Sequence, residues 1–69
     1  MLFGEVLVSL LNERGMTIAE LSRQSGVPDN TIRELAKCRS KDPSLTNAKH
    51  MADALGVTLQ QVWDMMNNA

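Results

Sequence analysis

The stretch from residue 16 to residue 38 constrains the fold of this chain more than any other part. It predicts two short helices joined by a tight turn at Gly26, because glycine is free to take the left-handed conformation that the turn needs. Leu21 and Ile32 are the apolar residues that would hold the two helices together. This is the layout of a helix-turn-helix, whose second helix is presented outward to the major groove of DNA. The polar residues that face outward on that helix are Asp29, Asn30, Thr31, Arg33, Glu34 and Lys37.

Three helices are predicted in the first part of the chain. Apolar residues recur at helical spacing over about residues 3–14, and Gly15 ends that helix. Thr17 and Glu20 have the spacing of a capping box, which predicts the start of the second helix. The third helix opens at residue 28 or 29 and ends near residue 37.

Two further helices complete the predicted fold. The fourth begins at Pro43 and Ser44 and ends at Gly56, and the fifth has a second capping box formed by Thr58 and Gln61. The apolar stripes of these helices are Leu45, Ala48, Met51, Ala52 and Leu55, then Leu59, Val62, Trp63 and Met66. Trp63 either closes the core against the first helix, which we favour, or forms a dimer patch with the methionines near it. The fold class is therefore all-α, with one five-helix domain over residues 1–69 and the helix-turn-helix at 17–37.

Charge is distributed unevenly along a chain whose formal net charge is only −1. Six basic and three acidic residues lie between Arg14 and Lys41, a net of +3, and the remaining residues carry a net of −4. A local positive field of this kind can steer a phosphate backbone. Lys37, Arg39 and Lys41 meet no acidic residue before Asp42, so we interpret them as phosphate-binding rather than as solubilising charges.

Several classes of protein are disfavoured by the composition. A single cysteine, Cys38, allows no internal disulfide, which favours a reducing cytoplasm, and we interpret it as a small residue at a helix end. The sequence also has only one histidine. One cysteine and one histidine cannot make a four-ligand zinc site of the usual kind, and we expect no metal or cofactor. The apolar run at the start is too short to span a membrane and does not look like a signal peptide. No catalytic set and no glycine-rich phosphate loop is present, so we do not expect an enzyme.

Four segments together carry a resemblance to a known family. They are MTIAELSRQSGV at 16–27, TIREL at 31–35, DPSL at 42–45 and MADALGVTL at 51–59. The ordered set is similar to the lambda-repressor-like, or Xre/Cro-type, helix-turn-helix domains, over about residues 3–66. The resemblance implies a five-helix bundle and a bacterial or phage transcription regulator that acts on palindromic operators, in many members as a homodimer. The chain departs from the family pattern at Ile18, Ser22, Ala36 and Cys38, where the family often has Gln, Ala, Glu and Gly.

The resemblance also implies which residues touch DNA. Base contacts fall on Asp29, Asn30, Thr31 and Arg33, with Glu34 beside them, and phosphate contacts fall on Thr17, Lys37, Arg39 and Lys41. Arg33 can donate two hydrogen bonds to guanine, or it can instead pair with a neighbouring acid or a phosphate. Asn30 can pair with adenine or cap its own helix, and Asp29 can accept from the amino group of cytosine. Ile18 is expected to be exposed.

Two functional hypotheses remain open from the sequence. The first is a cytoplasmic, sequence-specific regulator of double-stranded DNA, a repressor, that places helix 28–37 in the major groove. The second is a protein-interaction module on the same fold, antitoxin-like or an anti-repressor, because fold alone does not fix function. Neither hypothesis includes a small-molecule ligand.

Overall fold

Five helices make up the described part of the chain. The computed structural model describes residues 2–39 and 42–67. The helices are α1 (Phe3–Arg14), α2 (Ile18–Ser25), α3 (Asp29–Ala36), α4 (Leu45–Leu55) and α5 (Leu59–Asn67). The all-α, five-helix prediction is confirmed, and the helix ends differ from the predicted ones by only a residue or two.

Both predicted capping boxes are formed. The Thr17 hydroxyl accepts the Glu20 N–H at 3.1 Å, and the Glu20 carboxylate accepts the Thr17 N–H at 3.2 Å. At the start of α5 the Thr58 hydroxyl accepts the Gln61 N–H at 3.0 Å, and the Gln61 side chain accepts the Thr58 N–H at 2.8 Å. These bonds satisfy N–H groups that have no partner inside a helix, which is why the sequence spacing locates the two helix starts so well.

Helix α3 ends in an unusual way. Cys38 adopts a left-handed backbone with φ +58°, where α1 and α4 end in glycine. The Cys38 N–H donates to the Leu35 carbonyl at 3.0 Å, and the Arg39 N–H donates to the Glu34 carbonyl at 2.9 Å. This pair of bonds is the Schellman motif, in which a residue with a Cβ atom is disfavoured relative to glycine.

The core is formed by apolar residues from all five helices and the turn between α2 and α3. They are Phe3, Val6, Leu7, Leu10, Leu11, Leu21, Val27, Ile32, Leu35, Met51, Ala52, Leu55 and Val62. Helix α1 packs against α3, α4 and α5, while α2 packs against α3 and α4. The helix-turn-helix is therefore backed by α1 and α4, which fixes the orientation of α3.

Helices α1 and α3 approach each other very closely at Gly4. A Cβ atom built on Gly4 would lie 1.9 Å from the backbone carbonyl oxygen of Leu35 and 3.0 Å from Cys38 Sγ. The Leu35 oxygen already accepts the Cys38 N–H, so it cannot easily move away. Only glycine fits at position 4, and this contact sets the distance between α1 and the end of α3.

Three apolar residues lie in other places than expected. Trp63 is 61% exposed and Leu45 is 77% exposed, so the prediction that Trp63 closes the core and that Leu45 belongs to the buried stripe of α4 is wrong. Val62 takes the inward position on α5, and its neighbour Trp63 then points about 100° away from it. Ile18 was expected to be exposed but is half-buried against the core.

The exposed tryptophan borders an open apolar groove. The groove has a volume of about 430 Å³. It is lined mainly by Phe3, Pro43, Leu45, Val62, Trp63 and Met66. Three segments meet there, the start of α1, the start of α4 and the face of α5, and none of them fills the space between the others.

Candidate nucleic-acid interface

The contact between α2 and α3 is built as the sequence predicts. Leu21 and Ile32 are both fully buried, with no accessible surface. Gly26 ends α2 with φ +78°, and its N–H donates to the Ser22 carbonyl at 2.9 Å. The two helices are therefore joined by a short turn whose backbone needs a glycine.

Two serine hydroxyls hold this turn in place. Ser22 Oγ donates to the Val27 carbonyl at 2.7 Å. Ser25 Oγ donates to the Leu21 carbonyl at 2.6 Å and accepts the Val27 N–H at 3.2 Å. The sequence marks Ser22 only as a departure from the family pattern, and neither serine was predicted to matter. A serine in a helix is known to bond back to the preceding turn, but the bond forward to Val27 needs the folded turn.

The outward face of α3 carries the residues predicted to read bases. Asn30, Arg33 and Glu34 are exposed, while Asp29 and Thr31 are half-buried. Ile32 and Leu35 point the opposite way and are buried. Because residues four apart lie on one side of a helix, Asp29 and Arg33 form one row and Asn30 and Glu34 form the next.

Arg33 pairs with an acid on its own helix. Its Nε lies 3.5 Å from Asp29 Oδ1. That oxygen is buried and makes no hydrogen bond, so the contact is an ion pair without a hydrogen bond. Pairing of Arg33 with a neighbouring acid, one of the open alternatives, is thus present in the free protein.

The basic residues after α3 differ in their partners. Arg39 Nη1 lies 3.7 Å from Glu34 Oε2, so the expectation that this segment has no acidic partner before Asp42 is wrong for Arg39. The left-handed turn at Cys38 brings Arg39 back over the helix, which the sequence spacing does not reveal. Lys37 is exposed, and no carboxylate of residues 2–39 or 42–67 pairs with it. Lys41 lies outside the described residues.

Two other residues of the positive stretch have structural partners. The Thr17 hydroxyl, besides accepting the Glu20 N–H, lies 3.2 Å from the Glu20 carboxylate. Arg14 Nε donates to the Leu55 carbonyl at the end of α4, and its Nη1 lies 3.5 Å from Glu13. Arg14 therefore ties α1 to α4, and the other described basic residues of the stretch, all exposed, are Arg23, Arg33, Lys37 and Arg39.

The described part of the chain offers no metal site and no membrane-spanning helix. Within the described ranges, no three His, Cys, Asp or Glu side chains are grouped so that they could hold a metal ion. No helix in those ranges is long and apolar enough to cross a membrane.

Comparison with known proteins agrees with the geometry. The family model of the Cro/C1-type helix-turn-helix DNA-binding domain matches residues 6–66, which is most of the chain. A search of curated proteins found no match. The matched family binds DNA and is not catalytic, in line with the sequence analysis. Since the match covers most of the chain and includes the buried Leu21 and Ile32 and the whole of α3, the chain belongs to the Cro/C1-type helix-turn-helix DNA-binding domains.

Proposed function

We propose that this protein is a sequence-specific regulator of transcription, a repressor, that places α3 in the major groove of double-stranded DNA in the cytoplasm. The observation that carries the proposal is the row of exposed polar side chains on α3, opposite the buried Ile32 and Leu35. A helix in the major groove meets a donor and acceptor pattern that differs for each base pair. Polar side chains held on a rigid helix can discriminate between such patterns.

Base reading is assigned to the outward residues of α3. Arg33 donates two hydrogen bonds from its terminal nitrogens to guanine O6 and N7, and the Asn30 amide pairs with adenine. Thr31 stands beside them where a thymine methyl or a phosphate would lie, and Glu34 and Asp29 flank the row. Arg33 is the strongest of these readers because a bidentate contact is worth about 1–3 kcal/mol of discrimination.

Phosphate binding is assigned to Lys37, Arg39, Lys41 and Thr17. Lys37 is exposed and unpaired within the described residues, so it can bind a phosphate without giving up another partner. Arg39 pairs with Glu34 over 3.7 Å, and an exposed ion pair of this kind is weak enough to exchange for a phosphate. Thr17 contributes from the start of α2, next to its capping bonds. Each lost phosphate contact reduces the salt dependence of binding by about 0.9 in the logarithmic slope.

A homodimer would let the protein read a palindromic operator. Two copies of α3 would then stand about 34 Å apart, one turn of DNA. We place the contact between copies at the apolar groove, because Trp63 protrudes at its edge and a twofold axis seats each tryptophan in the groove of the other copy. An exposed tryptophan next to an apolar trough is the kind of residue that anchors an interface.

Selection from a random duplex library at physiological salt tests the DNA proposal. The wild-type chain is expected to enrich a palindrome, and Arg33→Ala is expected to lose a guanine from it. Lys49→Ala is the matched control, because Lys49 also belongs to an i,i+4 ion pair, with Asp53 on α4 at 2.7 Å. A wild-type chain that enriches no sequence would contradict operator binding and favour the protein-interaction module instead.

Sedimentation equilibrium tests the dimer. Trp63→Ser is expected to shift the chain toward monomer, while Val8→Ser, which replaces an exposed apolar residue of α1 outside the groove lining, should not. Trp63 is the one tryptophan of the sequence, so its fluorescence reports the same event in the wild-type chain. A monomer at every concentration, with emission that never changes, would contradict the dimer.

We infer the repressing role from the base pairs that the bound protein would occupy. A protein seated in the groove excludes other proteins from the same base pairs. A reporter whose promoter overlaps the selected site is expected to fall in output when the wild-type chain is expressed, and to recover with Arg33→Ala. A rise in output would make the protein an activator.

A further inference from the structure

The partner of Arg33 has a role of its own in the interface. Asp29 lies in the first turn of α3, one helical turn before Arg33. Its Oδ1 atom is buried and without a hydrogen bond, although the side chain as a whole is 43% exposed. The oxygen that faces Arg33 is therefore shielded from water, and the rest of the carboxylate side chain carries the exposure.

The contact uses a particular atom of the guanidinium. Asp29 Oδ1 lies 3.5 Å from Nε of Arg33, which is the nitrogen inside the side chain. The two terminal nitrogens are not engaged in any ion pair or hydrogen bond within the described residues, and the Arg33 side chain is 57% exposed. An ion pair at Nε leaves both terminal nitrogens available, and those two nitrogens match the O6 and N7 acceptors of guanine.

On these grounds, and resting on the proposed base reading by Arg33, we propose that Asp29 is a positioning residue that orients Arg33 for guanine. A long arginine side chain that is free in water samples many rotamers, and the loss of this entropy on binding lowers its affinity. The Asp29 carboxylate restricts them before DNA arrives. When DNA displaces water from around Arg33, we expect the 3.5 Å distance between Arg33 Nε and Asp29 Oδ1 to shorten and a charge-assisted hydrogen bond to form.

The Asp29 carboxylate is also expected to repel the phosphate backbone of any duplex. Its negative charge lies in the first turn of α3, the helix proposed to enter the major groove, where it would repel the phosphates of a bound duplex. This charge lowers affinity for every duplex, while its hold on Arg33 raises affinity only for duplexes with the right guanine. A loss shared by every duplex leaves specificity, the ratio of the two affinities, unchanged, so only the hold on Arg33 raises specificity.

The test measures specificity and not affinity alone. The duplex is the one selected by the wild-type chain, and a second duplex replaces the guanine that Arg33→Ala ceases to select. Binding of both is measured by fluorescence anisotropy for wild type, Asp29→Ala, Asp29→Asn, Arg33→Ala and the Asp29→Ala/Arg33→Ala double variant. Asp53→Ala is the matched control, because it removes the acid of the other i,i+4 pair. Circular dichroism confirms that each variant is folded.

The proposal has a definite expected result. Arg33→Ala is expected to lower the preference for guanine by about 5- to 150-fold. Asp29→Ala is expected to lower it by at least about 2-fold and to strengthen binding of the second duplex, with Asp29→Asn between it and the wild type. In the Arg33→Ala background, the Asp29→Ala change is expected to have no further effect on base preference. Asp53→Ala is expected to leave the preference unchanged.

Other outcomes overturn it. An Asp29→Ala chain that keeps the full preference for guanine shows that Arg33 needs no positioning. A preference lost through Asp29→Ala even when Arg33 is absent shows that Asp29 reads a base itself, such as a cytosine. Either result leaves operator binding intact, whereas a wild-type chain that selects no duplex overturns the proposed function and this inference together.

Discussion

Helix α1 packs in opposite ways on its two sides. On one side, Gly4 lies so close to α3 that a single added carbon would collide with the Leu35 carbonyl. On the other side, Phe3 lies at the edge of an open groove of about 430 Å³ between α1, α4 and α5. Adjacent residues of one helix thus belong to a very close helix contact and to an open groove.

The difference follows from what each neighbour does. The joint with α3 fixes the helix that carries Arg33 and the turn that carries Lys37, so a change of even a few tenths of an ångström would move the proposed DNA-contacting groups. The groove touches no residue of α3. The close contact therefore supports the helix proposed to bind DNA, whereas the groove lies between α1, α4 and α5.

The largest expected effect on stability comes from adding a side chain at Gly4, where α1 and α3 are in close contact. Gly4→Ala forces α1 and α3 apart, because the clashing Leu35 oxygen belongs to the backbone and is already hydrogen-bonded. We expect a loss of about 1–3 kcal/mol in the free energy of unfolding, as for other overpacked cores. In thermal denaturation this corresponds to about 4–8 °C for each kcal/mol.

Ser9→Ala is the matched control for this change. Ser9 is exposed on the same helix, so the same residue type is introduced without a collision. A melting temperature for Gly4→Ala equal to that of Ser9→Ala would show that the joint is loose and would remove the contrast between the two sides of α1.

A smaller effect, of the opposite sign, is expected at the end of α3. Cys38→Gly relieves the left-handed strain at φ +58°. After the greater freedom of glycine in the unfolded chain is deducted, we expect a gain of about 0.5–1 kcal/mol. The gain should appear in urea denaturation as a higher midpoint with an unchanged slope.

The same substitution tests which atom limits the size of the side chain at position 4. Cys38→Gly also removes the sulfur that lies near Gly4, but it leaves the Leu35 carbonyl where it is. We therefore expect the two changes to add in the Gly4→Ala/Cys38→Gly double variant, with no special rescue. A rescue well beyond the sum would show that the sulfur, and not the carbonyl, limits position 4.

The smallest effect on stability is expected on the open side. Trp63→Ser is expected to change the free energy of unfolding by less than about 0.5 kcal/mol, because the side chain is 61% exposed. Its neighbour provides the contrast, since Val62→Ala should cost about 1–2 kcal/mol through lost burial. Both are measured by urea denaturation at a protein concentration low enough to keep the chain monomeric. A Trp63→Ser chain as unstable as Val62→Ala would mean that the groove is closed in solution.

Local signals in the sequence predicted much of the fold. The capping boxes at Thr17 and Thr58 and the glycines after α1, α2 and α4 act within four or five residues, so their spacing is enough to locate helix ends. Leu21 and Ile32 were also predicted correctly, because a short turn leaves two amphipathic helices few ways to pack.

Features that depend on distant parts of the chain were not predictable in this way. The burial of Trp63 depends on whether another element covers α5, and periodicity along one helix carries no such information. The demand for glycine at position 4 arises from a carbonyl on a different helix. In the interface, the Asp29 and Arg33 pair follows from a spacing of four, whereas the Arg39 and Glu34 pair depends on the left-handed turn at Cys38.

The open groove has a consequence for which helices unfold locally. Among the described residues of α5 only Val62 is buried, and the helix is otherwise held by partly buried residues that pack against the core. Detaching α5 therefore exposes little apolar surface, while detaching α3 exposes Ile32 and Leu35 and breaks the Gly4 joint. Amide hydrogens of α5 should accordingly exchange with solvent through small local openings, and those of α3 only when the whole domain unfolds. The helix proposed to read DNA would then belong to the slowest-exchanging part of the protein, and the helix that borders the groove to the fastest.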